Sequence, residues 1–422
     1  MFTFSYPPNL PYLRNGLAAA LVFSMLVSNA LAQTADQPPT LRQALDAAWQ
    51  TSSQARSSDN RRRELAAKEK AADSWMSGEP VASIAHRTDR LNKNEGFREY
   101  EAEIEVPLWN RGVRTATQAD ISAQRLAFDG QVALAKLKLA GELRALAASA
   151  ATAQVDLDLN KRKLLDANAL TQDLTRRVKA GENARVDALQ AQVLTLQAQA
   201  AMAQAEGQLA RLQSHWRSLT GLAAVAPLEE KLAAMVADET IAAPIAADHP
   251  ALRQSQAQLS GAQAKLALAN ADKRDPMSVG VGLSRERDNF AAAGETKLRI
   301  ALRIPLGGDN RNAPRRAAAS AELDAAQAEV DTVQRQLPAE VAAATADLRA
   351  ARTSQAAATE RARLSTEVQT LITKSWRLGD SDLPARLRAD NEQFEARLAL
   401  AKASIDVQRA IANLNQAHGF LP

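Results

Sequence analysis

Cysteine is absent from all 422 residues. That excludes disulfides, thiolate metal sites and a lipid-modified N-terminal Cys. Aromatic residues make up 4% of the chain, too few to build stacking platforms for nucleic-acid bases. The histidines, His86, His215, His249 and His418, are scattered, and none form the helical pairs from which metal sites are built. Gly307-Gly308 lacks the Lys-Ser/Thr that would make a phosphate loop. No serine or cysteine nucleophile stands beside a candidate base. The expectation is therefore no catalytic, cofactor-binding or metal residue, and no enzyme. A pI near 9.3 invites a nucleic-acid reading. Lys and Arg, however, alternate with Asp and Glu throughout, the pattern of a solvated helix face rather than a phosphate-binding patch. A long apolar run is missing too. The longest, Leu17 to Leu31, covers about 15 residues, short of the ~20 a spanning helix needs.

That run follows Arg14, the only charged residue in 1–32, and precedes the small-x-small site Ala30-Leu31-Ala32. Residues 1–32 therefore read as a cleaved secretory signal, with the mature chain starting at Gln33. Export leaves a soluble periplasmic or secreted protein, or a β-barrel in an outer membrane.

What the chain does have is a copy of itself, displaced by 198 residues. Val106-Pro107-Leu108 recurs as Ile304-Pro305-Leu306, Gly181 as Gly379, and Leu219-Thr220-Gly221-Leu222 as Ala417-His418-Gly419-Phe420. One offset held across such distant landmarks marks a duplicated unit, too long for a solenoid repeat. The boundaries read as a first repeat over 33–222, a linker or equatorial segment over 223–247, and a second repeat over 248–420.

Ala, Leu, Gln, Arg and Glu dominate, with few Gly or Pro, which favours long helices in close contact. A long rod is expected over 115–178 and another over 313–374, the latter carrying Pro338 as a potential kink. Each would be roughly 100 Å long at 1.5 Å per residue. Shorter helices are expected over 40–76, 184–219, 248–274 and 383–418. Alanine at so many seam positions permits close helix approach. Such rods have no globular core of their own, which implies an oligomer.

Between the short and long helix of each repeat lie two stretches of period-two alternation, at 80–88 and 97–108, then at 277–285 and 296–306. In the second stretch Tyr100, Ala102, Ile104, Val106 and Leu108 oppose Glu99, Glu101, Glu103 and Glu105. In the fourth, Leu298, Ile300, Leu302, Ile304 and Leu306 oppose Lys297, Arg299 and Arg303. This is the length and pattern of a transmembrane barrel strand, with the apolar side outward and the charged side lining the lumen. Four strands cannot close a barrel, and lipid does not tolerate an open edge. Several chains would have to share one barrel. Trp75 and Trp109 flank the first hairpin at its helix end, which suits an interfacial girdle and plain packing alike. The alternative to a barrel is two hairpins packed on the helices of a soluble coiled coil.

The duplicated pattern and its turn motif together resemble the TolC family of outer-membrane efflux channels. Arg177-Val178-x-Ala180-Gly181-Glu182, followed by Ala188-Leu189-Gln190-Ala191-Gln192, is similar to that family's helix-turn-helix motif. Trp376-Arg377-Leu378-Gly379-Asp380, followed by Leu387, is its second occurrence. The joint Val106-Pro107-Leu108-Trp109-Asn110-Arg111-Gly112 and its echo at 304–311 resemble the CzcC-like heavy-metal efflux branch. The resemblance implies a mainly α fold with a small membrane β part. It implies a homotrimer whose strands close a twelve-stranded barrel in a Gram-negative outer membrane, above a periplasmic α-helical tunnel. Gly181 and Gly379 would be periplasmic tips, with Val178 and Leu189, like Trp376 and Leu387, packing across each turn. A membrane-fusion adaptor and an inner-membrane pump of the resistance-nodulation-division type would dock there. The implied activity is a passive exit duct exporting heavy-metal cations, with drugs or type I secreted proteins as the other cargoes. The family's acidic gate positions match Ala385 and Arg388 here. Asp380, Asp382 and Asp390 lie nearby, so Asp380, Asp382, Arg386 and Arg388 are the candidate gate. Pro384 fits a first helical turn.

Overall fold

A computed structural model describes residues 38–233, 247–307 and 309–422. The signal segment and the later part of the linker lie outside the described residues. The elements run α1 (Leu41–Thr51), α2 (Ser53–Ala72), β1 (Val81–Thr88), β2 (Arg98–Leu108), α3 (Val113–Lys179) and α4 (Arg185–Thr220). The second copy follows as α5 (Pro250–Ala271), β3 (Met277–Arg287), β4 (Glu295–Arg303), α6 (Asp309–Leu378) and α7 (Leu383–Ala417). Among the described residues no helix is long and apolar enough to cross a membrane.

Some elements differ from the sequence reading. The helix expected over 40–76 is broken at Ser52, whose hydroxyl accepts from the Ala55 N–H at 3.1 Å and caps α2. Thr51 and Ser52 also donate back to the Ala48 and Trp49 carbonyls, the local bonding by which such residues compete with a helix. β4 ends at Arg303 rather than Leu306. Beyond the pair Ser278↔Arg303 it has no partner, and Pro305 offers no N–H. The assigned helix α6 runs unbroken through Pro314 and Pro338.

The described residues form two compact units, each with its own core. One holds the residues up to Ala44 with Leu146–Glu229. In it Ala188, Ala191, Ala198 and Ala205 are buried along α4, at the three- and seven-residue steps of a coiled-coil seam. Leu170 and Leu174 of α3 are buried with them, and Thr171 bonds Thr195 across the pair at 3.0 Å.

The other unit holds Leu45–Ala145 and Glu230–Pro422. Its core joins Val341, Ala344 and Leu348 of α6 to Val407, Ala410, Ile411 and Leu414 of α7, with Leu232 and Phe420 against it. Beside this core lies a buried ionic clasp. The Arg144 side chain is 2% exposed and meets Glu230 through two parallel bonds of 2.7 and 2.9 Å. Its remaining nitrogen donates to Gln416 Oε1 at 2.6 Å and to the Phe420 carbonyl at 3.1 Å. Asn415 donates to Glu230 and to the Lys231 carbonyl, and accepts from the Ala233 N–H. Every nitrogen of the guanidinium and both carboxylate oxygens are thus bonded, the condition under which a charge can be buried at all.

At the end of α7, His249 and His418 are each 4% exposed. His249 Nδ1 accepts the Ala251 N–H at 3.1 Å and caps α5. Burial holds both imidazoles below the ordinary 6.5. At His249 the Ala417 carbonyl and Asp248 oppose that shift, while His418 adds to it. The folded chain therefore keeps both rings neutral where the unfolded chain would protonate them. Their contribution to stability is complete above the ordinary value and is lost as pH falls through the depressed one. His249→Asn retains a capping side chain and is expected to flatten the decline in melting temperature between about pH 7.5 and 5. An unchanged slope would remove His249 from this role.

Candidate functional site

The four strands form one antiparallel sheet in the order β1-β2-β3-β4. Its register puts Ile84, Ala102, Leu283 and Leu298 in one row, and Ala82, Ile104, Val281 and Ile300 in the next. This apolar face is bare: Ile84 is 89% exposed, Ile300 75% and Ile104 55%. On the opposite face Glu99, Glu101, Glu103 and Glu105 are half-buried, and Ser278, Gly280 and Gly282 are buried. That distribution inverts the one water selects, because large apolar side chains are normally the covered ones. β1 and β4 are both edges.

The charged face has an internal logic that local sequence does not show. Gly280 and Gly282 form a floor with no side chains between β2 and β4. A Cβ at Gly280 would collide with Glu103 Oε1, and one at Gly282 would press on Ala102 and Glu103 at 3.1–3.3 Å. Over that floor Arg299 reaches Glu101, and Arg303 reaches Glu105 at 3.1 Å, each pair spanning two strand spacings. Lys297 pairs with Glu286 at 2.8 Å and Arg87 with Glu99 at 3.3 Å. Glu101 and Arg299, like Glu105 and Arg303, are the same position in the two repeats. The duplicated strands carry opposite charges at these positions and bond each other.

The joint between sheet and helices is tied by polar side chains. Asn110 donates to the Arg274 and Asp275 carbonyls, both at 3.0 Å, and so links the two repeats. Trp109 donates to the Ser74 carbonyl at 2.9 Å, while Trp75 stays 64% exposed on the apolar side. Of the two tryptophans, only Trp75 presents a largely bare ring.

Both helix turns close by the same device. The Glu182 N–H bonds the Arg177 carbonyl and the Gly181 N–H that of Val178. Asp380 to Ser375 and Gly379 to Trp376 repeat the pattern. Each is a Schellman turn needing a left-handed residue at the glycine, and φ is 82° at Gly181 and 86° at Gly379. Nothing lies within 4 Å of a Cβ at either position, so the glycine is selected by its backbone rather than by space. Gly379→Val is expected to cost about 1–2 kcal/mol, with Gly379→Asn much milder. Protease nicking of the turn reads this, and equal nicking of both variants would refute it.

The side chains around the turns differ from the expectation in places. Trp376 is buried and Leu387 half-buried, joined by buried Leu383. Val178 is half-buried, whereas Leu189 is 49% exposed. The buried seam of α4 runs through Ala188 and Ala191, which rotates Leu189 outward with Val186, Val193 and Leu196. A bare stripe of Leu364, Val368, Leu371 and Leu378 likewise runs along α6. Of the candidate gate residues, Asp382 caps α7 by accepting the Ala385 N–H at 2.9 Å. Arg386 lies 4.0 Å over the Trp376 ring and 3.6 Å from Asp390. Asp380 and Arg388 are exposed. The glycine floor and the Arg144 clasp escaped the sequence reading. Only the charge reversal at the repeat offset could have announced the former.

Residues 244–419 match the family model described as outer membrane efflux protein. No curated protein sequence matches the chain. A membrane protein from Pseudomonas aeruginosa has a similar structure, with a TM-score of 0.73 at 18% identity over 90% of each chain. The outer membrane protein VceC of Vibrio cholerae superposes with a TM-score of 0.71 at 13% identity, over 90% of this chain and 96% of that one. The Campylobacter jejuni CmeC outer membrane channel gives 0.73 at 13% identity, over 90% and 85%. The chain thus has the fold of the TolC-like outer-membrane channels, and its second repeat carries the sequence pattern of the outer membrane efflux proteins.

Proposed function

We infer that this chain is one subunit of a trimeric outer-membrane exit duct in an efflux system, and not an enzyme. The observation that carries the reading is the open sheet, bare and apolar on one face, ion-paired on the other and unpaired at both edges. Three copies joined edge to edge would make a closed barrel of twelve strands, removing every edge and turning the apolar face to lipid. The uncovered leucine and valine stripes on α4 and α6 would be covered in the same assembly. Gly181 and Gly379 would present the periplasmic turns to an adaptor and, through it, to an inner-membrane pump.

Heavy-metal cations are the favoured cargo. The resemblance of the strand-to-helix joint supports this, and so does the charge of the lumen face. There Glu99, Glu101, Glu103, Glu105, Glu286 and Glu295 outnumber Arg87, Lys297, Arg299 and Arg303. An acidic lining favours cations. With Asp382 engaged as a cap and Arg386 held over Trp376, the gate reduces to Asp380 and Arg388. Planar-bilayer recording of the purified protein is expected to show cation-selective channels. Asp380→Asn should weaken that preference, and Arg388→Ser should raise the resting conductance. Unchanged behaviour in both variants leaves these residues as surface charge, and a purified protein that opens no channel removes the duct.

A further inference from the structure

The loop end of the bare sheet face carries a feature the duct does not need. Arg98 of β2 and Arg287 of β3 stand directly opposite each other, and Tyr100 stands opposite Arg285. Strand alternation puts all four on the apolar face, in the two rows beyond Ala102 and Leu283. Like charges directly opposed across a ladder are unfavourable unless something neutralises them. The sheet's ion pairs run between residues of the other face. Arg287 is held in place, its Nε donating to the Gly96 carbonyl at 3.3 Å and its guanidinium 5.6 Å from the Phe290 ring. The Tyr100 ring is fixed by His86, stacked at 4.4 Å.

We propose that Arg98, Arg285 and Arg287, with Tyr100, bind the phosphate group of an anionic glycolipid in the outer leaflet. The proposal rests on the outer-membrane reading above. Guanidinium groups pair with phosphate through parallel charge-assisted bonds, and a phenol at head-group level suits the interface. A lipid is favoured over free phosphate because the arginines border the apolar band on the same face. A phosphate held there lays its acyl chains along Ile84, Leu283 and Leu298. The spacing agrees as well. From Arg98 to Leu108 the strand rises about 34 Å, or about 26 Å at a 40° tilt, close to the ~25 Å apolar band of outer-membrane barrels. The cations thus stand at one edge of that band, and Trp75 lies towards the other. Among the described residues only the loop end of the sheet has the arginine row.

The test uses the purified full-length assembly, with lipid retention counted by native mass spectrometry. The wild type is expected to keep bis-phosphorylated lipid A about tenfold more tightly than its dephosphorylated form, and Arg98→Gln or Arg285→Gln to remove that preference. Excess inorganic phosphate should leave the lipid in place. Both substitutions are at exposed positions, so single-channel conductance stays at the wild-type level and reports intact assembly. Equal retention of both lipids by the wild type overturns the proposal. Undiminished retention by the two variants, or full displacement by inorganic phosphate, does so as well. Failure to insert into vesicles at all would instead overturn the outer-membrane reading and this site with it.

Discussion

Arg144→Ala is expected to be the most destabilising single substitution in the chain, at about 3–5 kcal/mol. The Arg144 side chain is 2% exposed, and Glu230 is nearly as covered. Removing the guanidinium would leave the covered Glu230 carboxylate without its counter-charge, held by Asn415, and orphan the Gln416 and Phe420 acceptors. The penalty is the desolvation of what remains rather than the strength of the lost bonds. For that reason Arg144→Met combined with Glu230→Leu is expected to recover most of the loss. Denaturant unfolding followed by helical circular dichroism checks both variants. A single variant within about 1 kcal/mol of wild type, an ordinary surface value, would mean that the clasp carries little. The ion pair holds the strip that follows the first repeat against α3 and the end of α7. Its loss is therefore expected to loosen the second repeat's core as well.

Ile104→Arg has the largest expected effect on assembly. The side chain is 55% exposed at the middle of the bare face, where a basic residue facing lipid costs about 2–4 kcal/mol. A trimer would incur that cost in every subunit. The heat-modifiable oligomer in an outer-membrane fraction is expected to vanish. Glu103→Arg, one residue away, is expected to leave it largely intact. That side chain lies over the Gly280 floor, with Glu101 and Glu105 beside it to accept a cation. The opposite ranking in oligomer yield would turn the strand round or take it out of the membrane. Because neither substitution touches the helical cores, a loss confined to Ile104→Arg cannot be ascribed to general misfolding.

Much of the architecture was legible because it depends on periodicities that survive without tertiary information. The repeat offset carries α4 onto α7 almost residue for residue, Arg185–Thr220 against Leu383–Ala417. Both turn glycines adopt the left-handed backbone their motif demands. Where the reading slipped, short-range competition or a missing partner was responsible. Ser52 turns its hydroxyl on the backbone and ends α1, and β4 stops where β3 no longer pairs with it. Leu189 was expected to pack across its turn; its side chain is largely exposed, because an alanine seam one residue away takes the covered position. Small side chains let α3 and α4 come close, and the larger neighbour is then turned outward.

The sequence by itself determined the duplication, the order of long and short helices, the faces of the strands and the two glycine turns. Each follows from spacing along one segment: period two, steps of three and four, or a single constant offset. Only the tertiary structure decided which charges meet. Glu101 and Arg299 are 198 residues apart and bond because β3, with glycine at 280 and 282, lies between their strands. Arg144 and Glu230 are 86 apart and bond because α3 passes the strip after the first repeat. Asp382 became a helix cap through the choice of one backbone N–H. Coulomb and hydrogen-bond partners depend on distance in space, and no one-dimensional pattern contains that distance.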